Sequence, residues 1–295
     1  LMLGGVPAVA IAYLTEEIAS GHAARAAGTY VAGTTIGGLA GRLVTGPVAQ
    51  YAGWRAGVLT VAVLCALAAT AFVKLAPRAR GFAPSRSRDL GHKLLANLRS
   101  PRQLVLFGQG FLLMGGFVAM YNFLGFRLMA APFHLPQTLV SLMFLAYLAG
   151  TWASARAGAE AGRHGRRAVL LASPATMIVG TAITLSDNIF AVLAGLVLAT
   201  AGFFGAHSIA SGWVGTAAAD GKAQASSLYN LCYYAGSSVV GWFGGVAFDT
   251  AGWPAVAGTV IGLAAPFRAS LAWGGQTGGT APVARPPPQG AGGGR

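Results

Sequence analysis

The chain has 295 residues, of which 55% are apolar and only 9% charged, with a mean hydropathy of +0.61. Soluble domains carry about 25% charged residues, so this composition excludes an ordinary soluble enzyme or binding module and predicts an all-α, polytopic membrane protein. The net charge of +13 comes from basic residues spread through the loops between apolar runs; it forms no single patch, so nucleic acid is not an expected partner.

Residues 1–15 are an apolar run that begins at Leu1 instead of a Met and has no basic n-region, so it does not read as a signal peptide. Glu16 and Glu17 close it. A second span is expected over residues 28–51 and a third from the Gly53-Trp54-Arg55 turn to about residue 76. A basic connector follows, with Lys74, Arg78, Arg80, Arg86, Arg88, Lys93, Arg99 and Arg102 against the lone Asp89. Within it Leu90, Leu94, Leu95 and Leu98 fall on one helical face, and Pro101 is expected to stop the helix, which reads as a short interfacial one. Spans four to eight are expected over residues 104–126, 137–158, 168–186, 189–215 and 226–248. A ninth, from Trp253, is weakened by Pro266 and Arg268. The Gly/Pro-rich tail over residues 274–295 is expected to be disordered.

The loops after spans one, three, five and seven hold the basic residues, and those after two, four, six and eight are poor in them. The positive-inside rule then predicts a chain that starts outside and ends in the cytoplasm. The cysteines, Cys65 and Cys232, each lie within an apolar run. They imply neither a disulfide framework nor a zinc site.

One stretch occurs twice. Residues 26–54 and 225–253 match without a gap at Ala26/Ala225, Tyr30/Tyr229, Gly37/Gly236, Gly46/Gly245, Ala52/Ala251, Gly53/Gly252 and Trp54/Trp253, a constant offset of 199 residues. Two spans in corresponding places are what a transporter built from two parallel halves shows. The same offset applied to span four places its counterpart roughly 95 residues before Leu1, room for three spans at about 20 residues each. Nine spans then become twelve, and nine alone are expected not to transport.

Three stretches carry a resemblance. Gly158, Arg163, Gly165, Arg166 and Arg167 fit a cytoplasmic G-x-x-x-D-R-x-G-R-R signature, with Gly162 in place of the usual Asp. The segment from Gly37 to Pro47, with Gly41 and Gly46, is similar to a Gly-rich, Gly-Pro-containing fifth-helix motif that lacks its trailing Gly pair here. The segment from Gly4 to Glu17 is similar to the end of a fourth helix. Over residues 1–262 the chain thus resembles a major facilitator superfamily (MFS) transporter of the drug:proton antiporter and sugar-efflux-permease type. The resemblance implies a two-bundle pseudo-repeat with residues 1–76 as helices four to six, 77–103 as the cytoplasmic connector and 104–273 as helices seven to twelve. It also implies proton-coupled efflux of small organic molecules across a bacterial inner (plasma) membrane by alternating access, carried out by a monomer. The partners would be the lipid bilayer, a small-molecule substrate and protons, with no cofactor and no metal.

Single residues remain open between roles. Arg42 is the only strong charge well inside a span; it is either functional or snorkels to the outer headgroups. Glu16 and Glu17 are coupling groups or solvated helix ends. His207 suits proton coupling by its ordinary pKa, or is merely hydrogen-bonded. Gln109, Tyr121, Asn122, Tyr147, Asn230 and Tyr233 are polar groups that either line a cavity or pack. Gly33, Gly37 and Gly41 recur every four residues, as do Ser237, Gly241 and Gly245, a spacing that lets helices approach closely and that also suits an interface sliding between halves. No H-E-x-x-H, G-x-S-x-G or Walker A sequence is present, so no enzyme chemistry is expected. The rival readings are a non-transporting membrane protein, a decayed transporter fragment and a membrane-embedded enzyme.

Overall fold

The structure is a computed structural model that describes residues 23–76 and 89–273, and the side chains of residues 33–76 and 89–264. The expected first span with Glu16 and Glu17, much of the basic connector and the tail lie outside the described residues. The regular elements among the described residues are all helical. They are α1 (Ala23–Leu75), α2 (Leu90–Leu98), α3 (Pro101–Met129), α4 (Gln137–Ser141), a 3-10 turn (Leu142–Leu145), α5 (Ala146–His164), α6 (Arg166–Ile183), α7 (Ile189–Ala217) and α8 (Lys222–Trp273). Among the described residues, five stretches are long and apolar enough to cross a membrane: Gly33–Leu75, Pro101–Met129, Gln137–His164, Ile189–Ala217 and Lys222–Ala264.

Two of these stretches are 43 residues long. A straight helix of that length would span about 65 Å, twice a hydrocarbon core of about 30 Å. Each turns back at a glycine instead. Gly53 has φ 83° and Gly252 has φ 65°, a left-handed backbone open to a residue without a Cβ. In α1 a methyl group on Gly57 would lie 3.1 Å from Thr45 Cγ2 and 3.3 Å from Ala49 Cβ, so the chain before the corner runs beside the chain after it. Against α8, a methyl on Gly115 of α3 would lie 2.6 Å from Val240 Cβ, and one on Gly116 would lie 3.3 Å from Val260 Cγ1. Neighbouring residues of α3 thus meet both arms of α8. The two corners occupy matching positions in the duplicated stretch, and each arm overlaps one of the spans expected from the sequence.

Helix α3 is the pillar of the described helices and packs along both arms of α8. Its Leu113, Phe117, Met120, Leu124 and Leu128 are buried with Met177, Leu196, Phe203, Val256 and Val260. Another close helix contact joins α6 to α7. A methyl on Gly195 would lie 2.6 Å from the Gly180 carbonyl, and one on Gly202 would lie 2.5 Å from Met177 N. Small residues admit this backbone approach. By contrast α1 presents Ile36, Val58, Leu59, Leu67 and Phe72 on its exposed surface, as a lipid-facing helix does.

The two ends of this bundle differ. At one end Asn97 of α2 is buried, and its Nδ2 donates to the Asp220 carbonyl at 3.0 Å. The helix therefore docks on the α7–α8 connection through a polar residue. Leu90, Leu95 and Leu98 stay exposed, which leaves the leucine face free for a membrane interface. The helix ends before Ser100, and Pro101 opens α3 instead of closing α2. At the other end Arg127 closes the C-terminus of α6. Its guanidinium donates to the carbonyls of Thr184, Leu185 and Ser186 and pairs with Asp187 at 3.2 Å. Trp253 Nε1 adds a bond to the Thr184 carbonyl at 3.1 Å. These are carbonyls that a helix end leaves without partners.

Arg127→Lys keeps the charge but loses the planar fork that reaches several carbonyls. It is expected to destabilise the protein by about 1.5–3 kcal/mol, and Arg127→Ala by at least as much. Thermal unfolding in detergent checks this; wild-type stability of the lysine variant would show that the charge alone suffices.

Candidate functional site

A cavity of about 610 Å³ opens between α1 and the facing parts of α3 and α4 with its 3-10 turn. Both arms of α1 contribute, through Thr45 and Gly46 before the corner and Val61 after it. The contact that fixes α1 here is small and polar. A methyl on Gly46 would lie 2.5 Å from Ser141 Cβ, and Gln50 Oε1 accepts from Thr138 N and Thr138 Oγ1, both at 2.8 Å. Pro47 lies between these two contacts, half-buried inside the helix.

Arg42 is the charged residue among those lining the cavity. Its guanidinium carbon lies 4.8 Å from the centre of the Phe144 ring and 5.5 Å from that of Tyr147. Its Nη1 donates to the Gly38 carbonyl at 3.1 Å, one turn back along the helix and away from the Gly53 corner. That direction is opposite to snorkelling towards the nearer helix end. Among the described residues no carboxylate lies within ion-pair distance of Arg42. Phe144 belongs to the 3-10 turn, and such a stretch within a longer helix often marks a hinge.

The structure brings several of the sequence candidates together around this point. Asn122 is exposed and lines the cavity. Tyr121 also lines it, but its hydroxyl turns into the bundle and meets Thr200 Oγ1 at 2.7 Å. Thr200 Oγ1 itself donates to the Leu196 carbonyl at 2.7 Å, so Tyr121 must be the donor of the pair. Tyr147 packs edge-on against Tyr121, with ring centres 5.0 Å apart.

His207 and Tyr233 stand farther along the same aromatic column. Arg42 rests on Phe144, Phe144 on Tyr121, Tyr121 on Phe117, Phe117 on Phe203, and Phe203 on His207. His207 Nδ1 bonds the Tyr229 hydroxyl at 2.9 Å, and the Tyr233 ring lies 4.7 Å away. Gln109 is 1% exposed, and neither of its amide atoms has a partner; it does not line the cavity. Asn230 is half-buried and likewise outside it. Gly33, Gly37 and Gly41 lie in no tight contact: a methyl on any of them would meet nothing within 4 Å. Gly37 and Gly41 line the cavity instead.

The loop motif forms the corner between α5 and α6. Gly165 has φ 83° there, and Gly158 and Gly162 are exposed. Glu160 takes the place of the carboxylate that Gly162 cannot supply. It lies 3.6 Å from Arg163, 3.0 Å from His164 and 3.9 Å from Arg156. Arg166 Nη1 donates to Thr216 Oγ1 at 2.9 Å, tying the corner to the end of α7. Arg167 is half-buried at the start of α6. Sequence reasoning missed Glu160, although its spacing of three and four residues from Arg163 and His164 on one helix was a usable signal. It also missed Thr200, Ser141 and Phe144, which become significant only through contacts distant in sequence.

A bundle of apolar helices with a cationic cavity defines a multi-pass membrane protein of all-α class. No protein-family model matches the chain. The chain is 41% identical over 265 residues to the inner membrane transport protein YnfM of Escherichia coli (strain K12), covering 89% of this chain and 63% of that protein. It is 37% identical over 260 residues to the MFS-type transporter YybF of Bacillus subtilis (strain 168), covering 88% and 64%. A transporter of Buchnera aphidicola subsp. Schizaphis graminum is 36% identical over 265 residues, with 88% and 64% covered. Over most of its length the chain is thus similar to membrane transporters, one of them named as MFS-type. It spans a little under two-thirds of the length of these relatives.

The Tyr121–Thr200 pair gives a directional expectation. Tyr121→Phe leaves Thr200 bonded to Leu196, so its cost is that of one neutral bond, about 0.5–1.5 kcal/mol. Thr200→Val leaves the buried Tyr121 hydroxyl without its acceptor and is expected to cost more, about 1–3 kcal/mol. Unfolding of both variants and of the double variant in detergent checks the order; equal costs would mean the hydroxyl finds another acceptor.

Proposed function

We propose that the chain forms part of a secondary transporter that moves small organic molecules by alternating access, as proton-coupled efflux across a plasma membrane. The observation that carries this reading is the cavity of about 610 Å³ with Arg42 on its wall. Its size falls within the range of about 300–1,000 Å³ usual for small-molecule sites. It opens where α1 meets the bundle led by α3, as a transport site between two halves must. In this reading the described helices, with the run before Glu16, supply nine of twelve spans. Residues 1–76 and 104–273 then belong to opposite bundles, the connector and the C-terminus are cytoplasmic, and the transporter works as a monomer. The names of the relatives support transport. The drive by protons rests on the resemblance to antiporters, with His207 and the two glutamates, Glu16 and Glu17, as the candidate coupling groups.

The test is flux. The full-length protein is reconstituted in vesicles with an imposed pH gradient, and a panel of small organic solutes is screened for dissipation of that gradient. Some solute is expected to collapse the gradient, and Arg42→Ala is expected to slow that collapse at least about tenfold. Arg42→Lys is expected to fail as well, because an ammonium lacks the guanidinium fork. If no solute moves and none alters the gradient, the transporter reading is wrong.

Orientation is tested separately. In a background without Cys65 and Cys232, a cysteine at Asp249 is expected to react with an impermeant maleimide on intact cells. One at Ala219 should react only after permeabilisation. Both positions are exposed, and the reverse pattern would invert the topology.

A further inference from the structure

We infer that the cavity selects a small organic anion with a flat apolar body, whose carboxylate binds Arg42 and whose body lies against the aromatic wall. The inference rests on the transporter reading above and names the class of its substrate.

The charge comes first. Arg42 is cationic at any physiological pH. The other residues lining the cavity are all uncharged, so the potential inside is positive and unopposed by any acid among the described residues. Of the five N–H donors of a guanidinium, one is engaged by the Gly38 carbonyl. The guanidinium carbon lies over the rings of Phe144 and Tyr147, and the single bond to Gly38 leaves further N–H donors for a ligand. A carboxylate is the small group that accepts two parallel N–H bonds from a guanidinium. A cationic solute would instead meet repulsion from Arg42 with nothing to offset it.

The shape comes second. The wall formed by α1 is flat beside Arg42, because Gly37, Gly38 and Gly41 carry no Cβ. A methyl on Gly37 or Gly41 would meet nothing within 4 Å, so space lies open there. The wall opposite carries the rings of Tyr121, Phe126 and Phe144. A flat glycine surface facing aromatic rings makes a slot that suits a planar body better than a branched one. Asn122 offers an amide at the same wall for a second polar group on the solute.

The test uses three probes of one shape: benzoate, benzamide and benzylamine. Binding to the full-length protein in detergent is measured by calorimetry. Benzoate is expected to bind at least about tenfold more tightly than benzamide, the effect of a charge-assisted bond, and benzylamine more weakly than either. Arg42→Gln is expected to weaken benzoate at least about tenfold and so remove its advantage over benzamide measured on the same variant. Phe144→Leu is expected to weaken both by about threefold to tenfold. The wild-type comparison stands even if a variant folds poorly. Equal binding of benzoate and benzamide, tighter binding of benzylamine, or no binding of benzoate overturns the inference. A carboxylate of the protein already paired with Arg42 would give the first of these results. Benzoate binding that depends on Arg42 without any flux leaves this site standing and sinks the transporter reading. Flux of neutral or cationic solutes that Arg42→Gln does not alter does the reverse.

Discussion

The two glycine corners, Gly53 and Gly252, are the constraint on which the rest depends. Each interrupts an apolar stretch of 43 residues that is too long for one crossing. Without a left-handed residue at that point the second arm would run on into water with its apolar side chains exposed. The corner of α1 brings Val61 beside Thr45 and Gly46, and so makes one wall of the cavity. The corner of α8 lays both arms along α3 through Gly115 and Gly116. One backbone solution at two matching positions thus builds both partners of the candidate site.

The bundle led by α3 satisfies its polar groups largely from within. Arg127 and Trp253 cover the carbonyls that end α6, and Asn97 ties α2 to the α7–α8 connection. Gln103 Nε2 reaches the Val214 carbonyl at 3.0 Å. Gln103 Oε1 is left without a partner, and Gln109 departs further, since both its amide atoms are buried and unpaired. In hydrocarbon such a group costs about 1–3 kcal/mol or more, so its position in α3 is not explained by packing alone. The face that α1 turns to the bundle is different in kind. It is held by Gly46 against Ser141 and by Gln50 against Thr138, contacts that are small, polar and few.

Much of this was legible in the sequence. Apolar run lengths gave the helices, and the Gly53-Trp54 and Gly252-Trp253 pairs marked the corners, because only glycine tolerates the backbone a reversal needs there. Arg42 stood out because a charge inside an apolar run is costly. What could not be read was which glycines pack. Gly33, Gly37 and Gly41 have the spacing of a packing face yet border open space, whereas Gly180, Gly195 and Gly202, spread over two helices, make close backbone approaches. Spacing records which residues share a face; it does not record what that face meets. The same limit hid Phe144 and Thr200, whose importance comes from distant partners, Arg42 for the first and Tyr121, 79 residues back, for the second. Glu160 was hidden for another reason, since the family pattern directed attention to Gly162 two places on.

The energetics of Arg42 decide how its position should be understood. Placing an arginine well inside a span costs about 2.5–3.5 kcal/mol on the insertion scale. Two cation–π contacts return about 0.5–1 kcal/mol each at an exposed site, and the bond to the Gly38 carbonyl returns about 1 kcal/mol. The sum lies close to the cost, so the residue is tolerated in place without being a source of stability. It also reaches back along α1, away from the Gly53 corner, and so does not recover the difference by snorkelling towards that corner. A residue in near balance, with N–H donors to spare and a cavity beside it, adds little to the resting fold. It has most to gain from an anion that enters the cavity, and that is the condition under which binding can shift one arrangement of helices against another.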